Sequence, residues 1–208
     1  MTLWDLDAYV LFRSDLTGAA APWSQHDDIT DGLVIRELDG TNETDVHNLA
    51  KLTYPHQTNE ERRGQLSRLS TQLGNGERCF VAVAETDIVA MQWIAGPKSA
   101  VFKGFGAMLR NAAKRSLFHR TFVREDFRGR KLQRRIDSYM KKTLKNEGIE
   151  TTYTFVGVRN FASIINCLRL NNEFRLIYHL SIDLPGLPKL NLYPKRSREP
   201  WRPCRLGE

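Results

Sequence analysis

The chain has 208 residues, of which 41% are hydrophobic and 26% are charged, with a formal net charge of +7. This composition suffices for one α/β domain with a core and excludes global disorder. No apolar run approaches the ~20 residues that cross a bilayer, and the N-terminus lacks a basic segment followed by an apolar one, so we expect a cytoplasmic protein with no membrane partner. The three cysteines are widely spaced without a CxxC pair, which predicts reduced thiols and no metal site.

Positive charge is concentrated in one short segment, where only Asp137 opposes it. Such a charge suits a nucleic acid, an anionic membrane surface or a cofactor with several phosphates, and charge alone leaves all three open. The cations of the segment are Arg128, Arg130, Lys131, Arg134, Arg135, Lys141, Lys142 and Lys145.

The first half of the chain alternates turn residues with apolar patterns. Residues 1–32 contain a predicted strand at 9–13 followed by loop-forming residues, and they are interpreted as an N-terminal extension. Thr41 or Asn42 is expected to cap the first helix, which Pro55 ends. The further predicted elements are a strand at 33–38, helices at 42–54 and 59–73, and strands at 79–84 and 88–94 around a three-residue hairpin loop, Glu85–Asp87.

The second half begins with residues 97–115, interpreted as an insertion with a short helix over 107–114. A strand at 117–123 follows, and then a helix whose apolar stripe is Leu132, Ile136, Met140 and Leu144. A strand at 151–158, a helix at 161–170 and a strand at 174–182 complete the pattern, and the proline- and arginine-rich tail at 185–208 is expected to be irregular. The predicted order is β-α-α-β-β-β-α-β-α-β, without internal repeats.

The most informative segment is the strand at 117–123, the basic turn Arg128-Gly-Arg-Lys and the helix that follows. Such a junction binds a pyrophosphate, because the free amides and the dipole of the helix N-terminus favour an anion and basic side chains add charge-assisted hydrogen bonds. A solvated basic helix terminus explains the same residues without a ligand.

This segment resembles the pyrophosphate-binding motif of the GCN5-related N-acetyltransferase (GNAT) superfamily. In that family the strand ends in Val-x-x-x-Tyr before Arg-Gly-x-Gly-x-Gly, and the matching positions here are Val123, Phe127, Arg128, Gly129 and Arg130. Two positions depart from the pattern, because Lys131 and Gln133 stand where the family has glycine, or alanine at the second. A lysine amide at this position donates to a phosphate if its φ is negative.

A second stretch strengthens the resemblance. Asn160, Ser163 and Phe174 match the family's Asn-x-x-Ser/Ala helix and the Gly-Phe that follows it, in the expected order and separation. The resemblance covers residues 33–184. A simple helix N-cap is the alternative role for Asn160, and it is compatible with binding.

The resemblance implies an α/β (α+β) fold with a GNAT-like mixed central sheet flanked by helices, in which two splayed parallel strands hold the pantetheine arm. It implies an N-acetyltransferase that uses acetyl-CoA (coenzyme A) as co-substrate, needs no metal, and acts on a primary amine of a small molecule or peptide. By the same resemblance, the cofactor-binding residues are Phe122 and Val123 through their backbones, Arg128, Gly129, Arg130, Lys131, Leu132, Gln133, Asn160 and Ser163.

Acyl transfer to an amine needs a proton acceptor, an oxyanion donor and an acid for the thiolate. His119 is a candidate base, and four-residue spacing predicts that it shares a strand face with Val123, whose amide is the candidate oxyanion donor. Glu125 or Asp126, at the mouth of the strand, is the alternative catalytic residue, as a carboxylate that draws the substrate ammonium. Many family members have, where this chain has Cys167, a tyrosine that protonates the departing thiolate. Tyr178 or water is expected to supply this proton here.

Each assignment has a competitor. A lone strand histidine also fits a structural role, and loop carboxylates are commonly solvated. For the whole chain, the alternatives are an acyl-CoA-binding GNAT-fold protein with altered or lost catalysis and a basic nucleic-acid-binding module. A homodimer is compatible with every one of these functions.

Overall fold

The computed structural model describes residues 4–17, 32–54, 56–99, 112–169, 173–182 and 190–192. The chain divides into two compact units, one formed by Leu16–Thr152 and the other by Met1–Asp15 with Tyr153–Glu208. Among the described residues, no helix is long and apolar enough to cross a membrane. The predicted boundaries at residues 32 and 184 stay predictions.

The larger unit is built on four antiparallel strands in chain order. The β3–β4 hairpin closes through Glu85 and Thr86, one residue fewer than predicted, because Asp87 already belongs to β4. The elements are β2 (Leu33–Glu37), α1 (Glu43–Thr53), α2 (Asn59–Gly74), β3 (Glu77–Ala84), β4 (Asp87–Ala95), β5 (Arg115–Val123) and α3 (Leu132–Asn146).

Helices cover both faces of this sheet. The predicted stripe of α3 packs on one face, against strand residues that include Phe80 and Phe118. On the other face, α1 and α2 enclose Trp93, Met91 and their neighbours. The two faces alternate along the strands because successive side chains point to opposite sides of a sheet.

Local signals fix the start of α1. The Asn42 side chain accepts hydrogen bonds from the backbone amides of Thr44 and Asp45 at 3.0 and 3.3 Å, which confirms the predicted cap at Asn42. The Asp45 carboxylate also accepts hydrogen bonds from both terminal nitrogens of Arg36, at 2.6 and 2.7 Å, and these bonds connect α1 to β2. Pro55 lies outside the described residues.

The smaller unit contains β1 (Trp4–Asp15), β6 (Thr151–Gly157), α4 (Phe161–Arg169), β7 (Glu173–Ile182) and β8 (Leu190–Leu192). Its strand order is β6-β1-β7-β8, and β1 pairs with β7 in antiparallel register from Trp4 opposite Ile182. The strand predicted at 9–13 is therefore longer than expected, and Arg13 is paired with Glu173.

Two predictions near the chain's irregular segments need correction. The tail is not irregular at Leu190–Leu192, because these residues pair with β7. Of the helix predicted over 107–114, residues 107–111 lie outside the described part, whereas Ala112–Lys114 form one 3-10 turn that leads directly into β5. Whether a segment pairs with a neighbouring strand depends on tertiary context, and its local composition does not report this pairing.

Candidate active site in the larger unit

The basic turn lies between the end of β5 and the start of α3, as the sequence predicted. Gly129 has φ +82° and Lys131 has φ +59°, so both adopt the left-handed region. The condition of a negative φ, under which the Lys131 amide could donate, is not met: the backbone has the conformation that suits the family's glycine, although lysine occupies it. This conformation costs a non-glycine residue on the order of 1 kcal/mol, which marks the turn as a strained segment.

The N-cap residue of α3 does not cap the helix with its side chain. Lys131 stands at the N-cap position without a side-chain hydrogen bond to the helix, and its carbonyl accepts from the amides of Arg134 and Arg135 at 3.0 and 3.2 Å. The buried Leu132 side chain anchors the turn in the core beneath α3. The terminus therefore presents its dipole toward the exposed cations Arg128, Arg130 and Lys131, which is the arrangement of an anion site.

Phe127 organises the cations before the turn. The guanidinium carbons of Arg124 and Arg130 lie 4.7 and 4.6 Å from the centre of its ring. Arg124 also donates to both carboxylate oxygens of Asp126, and these bonds hold the pKa of Asp126 below its ordinary value. The phenylalanine at the family's tyrosine position thus serves as a stacking surface for two arginines.

Glu125, the predicted catalytic carboxylate, lies in the 3-10 turn Glu125–Phe127. Its side chain is 88% exposed and faces the Arg128 guanidinium at 3.4 Å. The structure thus gives it the solvated surroundings of an ordinary loop carboxylate.

The structure separates His119 from Val123. A register shift between Trp93 and Ile94 leaves His119 without a paired residue in β4, as in a β-bulge. His119 consequently lies beside Trp93, with ring centres 6.4 Å apart, on the face covered by α1 and α2. Val123 packs on the α3 face, so the prediction of a shared face is wrong. One extra residue inverts the alternation, and no local sequence signal reports it.

The bulge brings His119 to a residue that sequence reasoning missed. His119 Nε2 lies 3.1 Å from Glu77 Oε2, and the two side chains are 14% and 5% exposed. Burial, assisted by the positive charge of Arg120, lowers the pKa of His119 to about 4. Burial raises the pKa of Glu77, against smaller opposing effects of the Ser99 hydrogen bond and the Arg120 charge. A carboxylate at a strand's first position carries no pattern that predicts such a contact.

The other predicted residues have ordinary structural contacts. Phe122 is partly buried on the α1/α2 face, and Gln133 lies in the first turn of α3. In the smaller unit, the Asn160 side chain accepts from the Ser163 amide at 3.2 Å, which confirms the helix-cap alternative. Cys167 is buried with Phe12 and Val156. The side chains of Phe174 and Tyr178 lie outside the described part.

Solved GNAT proteins share this fold. A tandem GNAT protein from the clavulanic acid biosynthesis pathway superposes with a TM-score of 0.61 at 17% identity, over 88% of this chain and 55% of its own. A GCN5-related N-acetyltransferase from Sphaerobacter thermophilus gives 0.58 at 13%, over 88% and 54%. The aminoglycoside N-acetyltransferase AAC(6')-Iy, solved in complex with CoA, gives 0.52 at 15%, over 66% and 86%.

The chain therefore has the mixed α/β fold of the GNAT superfamily, a sheet flanked by helices, as the sequence resemblance predicted. It spans little more than half the length of the first two of these proteins, at 55% and 54%. No protein-family model and no curated protein matches the sequence. The superpositions establish the fold. Because the sequence identities are this low, the activity has to be argued from the residues.

Proposed function

We propose that this chain is an acyl-CoA-dependent N-acyltransferase that moves an acetyl group from acetyl-CoA to a primary amine. The observation that carries the proposal is the uncapped N-terminus of α3, which follows a strained, basic, glycine-containing turn directly after β5. A helix terminus of this kind binds a diphosphate through backbone amides and the helix dipole.

The turn offers two kinds of contact to the diphosphate, backbone amides and charged side chains. The amides of Gly129, Arg130, Leu132 and Gln133 are the proposed donors, and Arg128, Arg130 and Lys131 supply exposed positive charge. The backbones of Phe122 and Val123, at the end of β5, are the proposed contacts of the pantetheine arm, with Asn160 and Ser163 as further contacts. An aminoglycoside N-acetyltransferase of the same fold was solved with CoA, which supports this class of co-substrate.

The transfer itself forms one bond and breaks one. The neutral amine nitrogen attacks the thioester carbonyl, its proton passes to a base, and the C–S bond breaks to release the CoA thiolate, which then takes up a proton. The Val123 amide is the proposed oxyanion donor. His119 and Glu125 are the predicted catalytic residues, and burial lowers the pKa of His119 to about 4.

Two measurements test the function. Acetyl-CoA at 100 times its Kd should stabilise the protein by about 2.7 kcal/mol, measured as a rise in Tm. A CoA thiol-release assay against pooled amino sugars, polyamines and peptides should then identify an acceptor. A protein that is not stabilised by acetyl-CoA, and that binds oligonucleotides with a steep salt dependence, would instead be a nucleic-acid-binding module. Stabilisation without transfer would indicate the catalytically altered alternative. A cytoplasmic location and a homodimer stay predictions.

A further inference from the structure

The strongest unassigned feature of the molecule is the buried contact between Glu77, at the start of β3, and His119, in the bulge of β5. Their facing atoms, Oε2 and Nε2, are 3.1 Å apart. Both atoms are buried, and neither has a hydrogen-bond partner among the described residues. Burying such groups unpaired costs several kcal/mol, so a hydrogen bond between these two atoms would offset that cost. Catalytic hydrogen bonds are often poorly aligned before substrate binds.

The surroundings restrict where a proton can reside. The Ser99 hydroxyl donates to the other Glu77 oxygen at 3.4 Å. The charge of Arg120 acts on both groups and lowers both pKa values, and the titratable Cys79 is buried on the same strand as Glu77. Lys98 approaches at Gly76, the residue before Glu77, and is exposed.

Burial therefore disfavours both charged forms. It raises the pKa of Glu77 and lowers that of His119 to about 4, so a proton held by the pair resides on the carboxylate and the imidazole stays neutral. This is the reverse of a Ser-His-Asp triad, in which the carboxylate stays ionised and the imidazolium forms. His119 alone is too weak a base at neutral pH, because its imidazolium is unstable in this buried position. In the pair, a proton taken by His119 is matched by one passed to Glu77, so no imidazolium has to persist.

We propose that Glu77 and His119 form a proton-accepting pair for the acceptor amine. This inference rests on the proposed acyltransferase function. In the active form Glu77 is a carboxylate and His119 carries its proton on Nε2, so Nδ1 has a free electron pair. As the amine attacks, His119 Nδ1 takes the amine proton and the Nε2 proton passes to Glu77 Oε2. His119 is then the catalytic residue and Glu77 the residue that positions it and stores the proton.

The spacing along β5 is consistent with this role. His119 precedes Val123 by four residues, about 13 Å of strand, so the proton of an amine at a carbonyl bound by the Val123 amide reaches His119 Nδ1 through one water. The diphosphate turn and the proton acceptor are therefore separated along one element of the larger unit, as an extended thioester co-substrate requires. His119, whose side chain is 14% exposed against 5% for Glu77, is the member of the pair that the primary amine would meet.

The first experiment uses the free protein labelled with 15N-histidine. His119 should stay neutral while its proton moves from Nδ1 to Nε2 as the pH rises and Glu77 loses its proton. His119→Gln assigns the signals, and the exposed His47 gives an internal comparison. In Glu77→Gln the tautomer should no longer change with pH. A wild-type imidazolium between pH 5 and 8, or a tautomer change that persists without Glu77, would overturn the pair.

The second experiment measures turnover on an acceptor found with pooled amines. Glu77→Gln and His119→Gln should each lower kcat by about 100-fold or more, with little change in the KM for acetyl-CoA, and the double variant should be no worse than either. Wild-type kcat should rise with pH through the raised pKa of Glu77, and this rise should vanish in Glu77→Gln. The matched control is Glu85→Gln at the exposed β3–β4 turn, which should leave kcat unchanged.

The two experiments separate the pair from the function. A tautomer change without transfer to any amine would overturn the proposed function and the pair's catalytic role, while the proton exchange itself would stand. Transfer with a fixed His119 tautomer would support the function and overturn the pair. If Glu77→Gln does not fold, His119→Gln alone still tests the predicted loss of kcat.

Discussion

The basic turn after β5 and the Glu77–His119 pair depend on opposite physical effects: exposed charge in the turn and burial in the pair. In the turn, exposed cations surround a helix terminus and act through charge that water and salt screen. In the pair, two titratable groups from different strands are buried, and desolvation outweighs their neighbours. The comparison teaches that a site acting through local charge is readable from contiguous residues, whereas a site acting through burial depends on register between distant strands.

The largest expected effect is at the turn. Gly129→Glu should abolish acetyl-CoA binding in calorimetry, because it places a carboxylate where the diphosphate is proposed to lie. Among the described residues no atom lies within 4 Å of a Cβ placed at this position, so the only cost to the fold should be the strain of a side chain at φ +82°. Gly148→Glu is the matched control, since Gly148 has φ +83°, equally open surroundings and a place at the other end of α3. Equal affinity in both variants would contradict the placement of the diphosphate.

The second-largest effect is expected in how the free energy of unfolding depends on pH when one member of the Glu77–His119 pair is replaced. The folded pKa of His119 lies below its ordinary 6.5, so in Glu77→Gln stability should be lost as the pH falls from 6.5 toward 4, by up to about 1.4 kcal/mol per pH unit. The folded pKa of Glu77 is raised above 4.5, so in His119→Gln stability should fall as the pH rises from 4.5.

In the wild type these two effects oppose each other. The proton that the unfolded chain holds on His119 is offset by the proton that the folded pair holds on Glu77, so the wild-type slope should be smaller than the slope in Glu77→Gln. Urea unfolding at several pH values checks this. Parallel curves for the wild type and both variants would show that the two groups titrate as they do in water.

A smaller effect is expected at Lys131, where strain and charge coincide. Lys131→Gly and Lys131→Ala remove the same charge, but only glycine adopts φ +59° without strain. The glycine variant should therefore be more stable than the alanine variant by about 1 kcal/mol in chemical denaturation. Both should bind acetyl-CoA with a weaker salt dependence than the wild type. Equal stabilities would argue that the turn is not strained at this residue.

The smallest effect is expected at the cap of α4. Asn160→Ala should cost about 1 kcal/mol of stability, because it removes the acceptor of the Ser163 amide, whereas Asn160→Asp should retain the cap. If Asn160 also contacts pantetheine, both variants should raise the KM for acetyl-CoA. An unchanged KM in both would limit this residue to its structural role.

Much of the fold was predictable because periodicity and turn residues report local structure. The stripe of α3, the Asn42 cap and the order of strands and helices from β2 to β7 followed from spacing alone. The φ of Lys131 and the length of the β3–β4 turn did not, since each depends on how the neighbouring elements join.

The sequence by itself determined the GNAT-like order of elements and the position of the basic turn, because both are encoded in neighbouring residues. Only the tertiary structure decided that His119 leaves the face of Val123 and meets Glu77. A single bulge inverts the side-chain alternation of a strand, and its effect depends on pairing with β4 rather than on the composition of β5. The burial that makes the pair chemically distinctive likewise comes from strands and helices remote in sequence.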